Sequence, residues 1–114
     1  MSRWRLWLRR SPTRDELRGP GWTDAPAWVV KHARREQWGT REWLQWEEIR
    51  ERFERWNVEL APDAAGGRLA LHACSRESGW VSGEFIEADD PKPLHAALVR
   101  LVRQVGERVH RQAA

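Results

Sequence analysis

The last quarter of the chain constrains the fold more than any other part of it. Leu94, Leu98, Leu101, Val105 and Val109 follow one another at spacings of four, three, four and four, which gathers them into one apolar stripe along a helix. Asp90 is placed to cap that helix, with Pro91 at its first position and Pro93 still inside the first turn. Arg100, Arg103, Arg108 and Arg111 fall outside the stripe and suit the negative end of the helix dipole. A one-sided stripe needs a partner. Trp46, Ile49, Phe53 and Trp56 recur at threes and fours and form a second stripe of the same kind. On the solvated side of that second helix, Glu48 with Arg52 and Glu51 with Arg55 stand at i, i+4 in the favourable order.

Between the two stripes lie three short segments with strand character. The first is 57–60, ending at Pro62-Asp63. The second, 68–73, follows Gly66-Gly67, and the third, 80–86, follows Ser78-Gly79. Links this short favour an antiparallel meander. In the second segment Leu69, Leu71 and Ala73 share one face and Arg68, Ala70, His72 and Cys74 the other. Upstream, Trp28-Val29-Val30 and the alternation Arg41 to Trp46 read as a hairpin turning near 37–40. The competing reading of the same residues is a helix capped by Thr40, because Trp43, Trp46, Arg50, Phe53 and Trp56 also keep helical spacing. At the N-terminus, Arg3 to Leu8 alternates like a short strand, and 11–26 is a loop rich in Pro, Gly, Asp and Thr. The expected fold class is therefore α+β: an antiparallel sheet, made of a hairpin plus a three-strand meander, with two helices packed on it. The expected organisation is a basic Arg/Trp arm and loop over 1–26, and a single α+β domain over 27–114.

A chain of 114 residues fits one core without metal or disulfide. Cys74 stands alone, so no intramolecular disulfide forms. No run of about 18 apolar residues could span a bilayer, and Arg3, Arg5 and Arg9 break up any secretory apolar region. A cytoplasmic location follows as the expectation. The formal charge of +3 conceals a segregation: +6 over 1–35, −7 over 36–90 and +4 over 91–114. The basic residues are 18 Arg to 2 Lys, a bias that genome composition produces as readily as a need for guanidinium chemistry.

The residues that could carry chemistry do not converge on a reaction. His32, His72, Cys74, His95 and His110 show no zinc-ligand spacing. His72 and Cys74 share a strand face and could form a thiol–imidazole pair, although a single cysteine in a strand reads first as a small buried hydrophobe. Glu84 with Glu87, and Asp89 with Asp90, are pairs of carboxylates with nothing else gathered beside them. Gly66-Gly67 lacks the Lys-Ser/Thr that a phosphate loop needs and suits a turn. The expectation is a protein that is not an enzyme, with no cofactor and no metal.

Nine residues are Trp, against two Phe and no Tyr. Trp46, Trp56, Trp28 and Trp80 are assigned to the core. Arg3, Arg5, Trp7, Arg9, Trp22, Trp38 and Trp43 are the candidate partner-binding residues, since Trp and Arg are enriched where interfaces concentrate their energy. Alternating Arg and Trp also suits stacking on bases beside phosphate contacts, but the acidic middle opposes a continuous basic groove.

The stretch Trp22-Thr23-Asp24-Ala25-Pro26-Ala27-Trp28 and the Trp-rich 37–46 resemble a Trp-x-x-Ala-Pro-x-Trp pattern of small proteins from tailed phages and prophages. The span 46–105, with Ala88-Asp89-Asp90-Pro91-Lys92-Pro93 before its last helix, is similar to the phage αβββα sandwich domain. That resemblance implies a phage origin and brings no catalytic residues. Together these readings predict a non-enzymatic phage- or prophage-encoded accessory protein that binds a bacterial host protein, as an inhibitor of host or defence machinery. The alternatives are a nucleic-acid-binding module using Arg/Trp contacts and a minor virion or assembly protein.

Overall fold

The computed structural model describes residues 25–65 and 68–113. They form three helices and one sheet in the order α1 (Ala27–Arg35), α2 (Thr40–Arg55), β1 (Val58–Ala65), β2 (Arg68–Ser75), β3 (Val81–Ile86) and α3 (Pro93–Ala113). The chain divides into two compact units, Met1–Glu47 and Glu48–Ala114, with the boundary inside α2. The α+β class holds, and the three-strand antiparallel meander is present. The N-terminal strand expected over 3–8 lies outside the described residues.

The hairpin expected between Trp28 and Trp46 is replaced by two helices. Val29 and Ala33, four apart, are buried on α1, and Leu44, Trp46, Ile49 and Phe53 on α2, so burial at helical period outweighs two adjacent β-branched residues. The turn falls where the sequence places it, but it joins helices. Gln37 N–H donates to Arg34 O at 3.3 Å and Trp38 N–H to Ala33 O at 2.9 Å, the paired bonds of a Schellman motif. That motif requires a left-handed residue, and Gln37 supplies it at φ 55°. Gly39, one residue before the expected cap, takes the cap position of α2. Its carbonyl accepts from Trp43 N–H at 3.2 Å, and its own N–H donates to Glu42 Oε2 at 3.0 Å, the back-reaching half of a capping box.

The second unit is built around β2, the middle strand of the order β1-β2-β3. Leu71 lies opposite Pro62 on one side and Glu84 on the other; Ala73 lies opposite Leu60 and Ser82. Residues directly opposite share a face, so this register puts Leu69, Leu71, Ala73 and Ile86 together. Leu71, Ala73 and Ile86 are buried, and α3 packs on β3 and β2. Leu94, Leu98, Leu101 and Val105 are buried as their spacing predicts, with Val109 half-buried.

The last helix begins two residues later than expected. Pro93, not Pro91, takes its first position, because the residue before a proline is disfavoured in the right-handed helical region; Lys92 sits at φ 49° instead. At the other end of the unit, the indole of Trp56 lies against Gly106 of α3, its Cη2 3.4 Å from where a Cβ would stand. Arg108 lies 5.0 Å from the ring centre of buried Trp80, a cation–π contact that ties the later turns of α3 to the start of β3. On α2, Arg52 pairs with Glu48 at 2.7 Å as predicted. The second pair is Arg50 with Glu54 at 2.8 Å, in place of Glu51 with Arg55.

Two substitutions check this packing. Gln37→Gly relieves a left-handed non-glycine residue and is expected to raise stability by about 1 kcal/mol in chemical denaturation; a loss of stability would refute the Schellman assignment. Leu101→Ala, at a fully buried position, is expected to lower it by about 2–5 kcal/mol.

Candidate interaction surface

The register that buries Leu71 and Ala73 also decides what the opposite face of the sheet presents. Alternation along β3 offers two sets, Val81-Gly83-Phe85 and Ser82-Glu84-Ile86. Read alone, the strand would bury the first set, which carries the aromatic and the β-branched residue. Pairing reverses this, because Ser82, Glu84 and Ile86 stand opposite Ala73, Leu71 and Leu69. Phe85 is left 63% exposed and Val81 51%. These are the exposed large hydrophobics among the described residues.

Glu84 tolerates the inner face because α3 supplies its counter-charge. Arg100 Nε donates to Glu84 Oε1 at 2.7 Å, with the Glu84 side chain only 16% exposed. An inward carboxylate without that partner would be a buried charge short of a hydrogen bond.

Around Val81 and Phe85 the outer face is small and polar. Gly83 and Ala61 have little or no side chain, and buried Ala70 faces Phe85 directly across the ladder. A Cβ on Gly83 would lie 3.6 Å from His72 Nδ1, so the imidazole covers that glycine. Its other nitrogen, Nε2, is 3.2 Å from Asp63 Oδ2. Two further ion pairs flank the face: Arg68 with Glu87 at 3.4 Å and Arg76 with Glu59 at 2.9 Å. Exposed pairs of this kind add little stability, but they set charge on a face whose exposed apolar side chains stand on the edge strand β3.

His72 and Cys74 do share this face, half-buried. Their bonds go elsewhere: the imidazole to Asp63 and Cys74 Sγ to Ser75 O at 3.7 Å. Glu84 and Glu87 likewise bind different arginines. Among the described residues no group of three or more His, Cys, Asp or Glu is arranged to hold a metal ion.

The described tryptophans follow the expectation in part. Arg3, Arg5, Trp7, Arg9 and Trp22 lie outside the described residues. Trp38, expected as an exposed anchor, is buried at 9% exposure. Its Nε1 donates to Glu36 Oε1 at 3.3 Å, and its ring meets that of Trp43 edge-on at 5.1 Å. The Schellman turn draws it in, since the residue after the left-handed position packs back on its own helix. Trp43 is half-buried, as are Trp28 and Trp56; Trp46 and Trp80 are buried as assigned. Among the described residues the exposed large apolar side chains are thus Val81 and Phe85, which a search for tryptophan passes over. The signal for them was in the sequence: a strand with apolar residues at 81, 85 and 86 cannot hide all three on one side.

No helix among the described residues is long and apolar enough to cross a membrane. The chain matches no protein-family model, no curated protein and no solved structure.

The inner pair gives a direct check of this face assignment. Arg100→Ala is expected to destabilise by about 1–2 kcal/mol by leaving Glu84 without its partner, and adding Glu84→Val should restore most of the loss. A double variant no better than Arg100→Ala alone would place Glu84 on the solvent side.

Proposed function

We propose that this protein is a non-enzymatic binding module whose contact surface for another protein is the outer face of its sheet. The observation that carries the proposal is the inversion on β3, which exposes Phe85 and Val81 on one face while Glu84 is turned inward. Natural sequences break the pattern of burial mainly where function requires it. Phe85 supplies the large, stiff apolar anchor that interface centres favour, and the flanking ion pairs supply a polar margin. The protein-binding role anticipated from composition is kept, and among the described residues its site is β3 rather than Trp38 and Trp43. Apolar burial would provide the affinity, while the charged pairs would orient the encounter and discriminate among partners.

The test is the double substitution Val81→Ser with Phe85→Ser. Both residues are exposed, so denaturation midpoints should change little, within about 0.5 kcal/mol. A protein captured from the native cell lysate, purified and titrated against both forms, should bind the variant at least about tenfold more weakly, the equivalent of about 1.4 kcal/mol. Equal affinity for the two forms would overturn the proposal.

A further inference from the structure

The two edges of the sheet are chemically different. Arg76 N–H donates to Asn57 O at 3.2 Å, and bonded pairs then alternate with non-bonded ones along the β1–β2 register. Counted from there, Pro62 opposite Leu71 is a non-bonded pair, so its nitrogen faces away from β2. The outer edge of β1 therefore carries a proline in its middle, which blocks the approach of another strand.

The edge of β3 has no such block. Ser75 N–H donates to Trp80 O at 3.1 Å, and the same counting gives Ser82, Glu84 and Ile86 the bonds to β2. Val81, Gly83 and Phe85 turn their N–H and C=O groups to the open side. Among the described residues these groups have no hydrogen-bond partner. The residues with free backbone groups are also the ones on the exposed outer face.

We propose that this edge receives an extended segment of a partner protein, alternating apolar and acidic side chains, which adds to β3 as a further strand. The inference rests on the reading of the outer face as a protein-binding surface and names how the partner engages it. Main-chain bonds to Val81, Gly83 and Phe85 supply the affinity common to strand addition. Partner side chains on the outer side lie beside Val81 and Phe85 and are apolar. Those on the inner side lie beside Ser82, Glu84 and α3. There Arg100 uses Nε on Glu84 and keeps its terminal guanidinium N–H groups for an acidic side chain. A second copy of this chain fits less well. The helix α3 packs chiefly over β3, and neighbouring strands lie only about 4.8 Å apart. A β3-to-β3 pairing would crowd two helices that need about 8–10 Å between axes. A bare extended segment brings no helix with it.

The experiment uses the full-length, isotope-labelled protein and a capped peptide of about eight residues alternating valine and aspartate. On titration the amide resonances of Val81, Gly83 and Phe85 should move to saturation. N-methylation of the peptide amides that face β3 should weaken binding by about tenfold or more, and methylation of the alternate amides by less than about threefold. Replacing aspartate by lysine should also weaken it, and Arg100→Gln should shrink that preference. The proposal is overturned if both methylated peptides bind alike, if no peptide binds at about millimolar concentration, or if the peptide-free protein is a dimer that Gly83→Pro dissociates. Loss of partner capture in the Val81/Phe85 variant alongside indifference to N-methylation would discard the strand-addition mode and leave the binding face itself standing.

Discussion

The pairing of β2 with its two neighbours is the constraint on which the rest of the second unit depends. A strand has a side-chain period of two, so a register shifted by one residue would send every core residue of β2 to the solvent side. Leu71 and Ala73 are fully buried and hold the register that places Glu84 and Ser82 inward on β3. The strand with the weaker burial pattern yields to the one with the stronger. Everything distinctive about the surface follows: the exposure of Phe85 and Val81, the inward carboxylate, and the need for an arginine on α3 to meet it.

The same register makes the sheet asymmetric. One outer strand ends its capacity for pairing at Pro62, while the other keeps free backbone groups beside exposed apolar side chains. Uncovered edges invite unwanted pairing, and a protein that retains one next to Phe85 bears an aggregation hazard. The binding reading gives that hazard a purpose: a partner segment would cover the edge and the face together. Its position is steadied from behind by α3, through the Arg100–Glu84 bond and the stacking of Arg108 on Trp80.

Long periodic signals were legible in the sequence. The stripes Leu94–Leu98–Leu101–Val105 and Trp46–Ile49–Phe53 name buried residues on the helices that form, and the three strands and the faces of β2 follow from alternation and turn residues. Two kinds of feature were not legible. Where a segment satisfied both periods, as Trp43 to Trp46 does, local pattern could not choose, and burial at helical spacing beyond the ambiguous stretch settled it. Where a residue's environment depends on a distant partner, as for Phe85, alternation within the strand gives no direction, because β2 decides it. Trp38 belongs to the same class: a prominent apolar residue after a polar turn looks exposed until the left-handed Gln37 folds it back. Composition drew attention to tryptophan, yet among the described residues the exposed apolar side chains are a phenylalanine and a valine.

Amide hydrogen exchange along β3 in the free protein tests the register most directly, because neighbouring N–H groups on an edge strand point alternately to the sheet and to water. Slow exchange is expected at Ser82, Glu84 and Ile86, and fast exchange at Val81, Gly83 and Phe85. The reverse alternation, with Val81, Gly83 and Phe85 protected and Ser82 and Glu84 fast, would contradict the register and with it the exposed face.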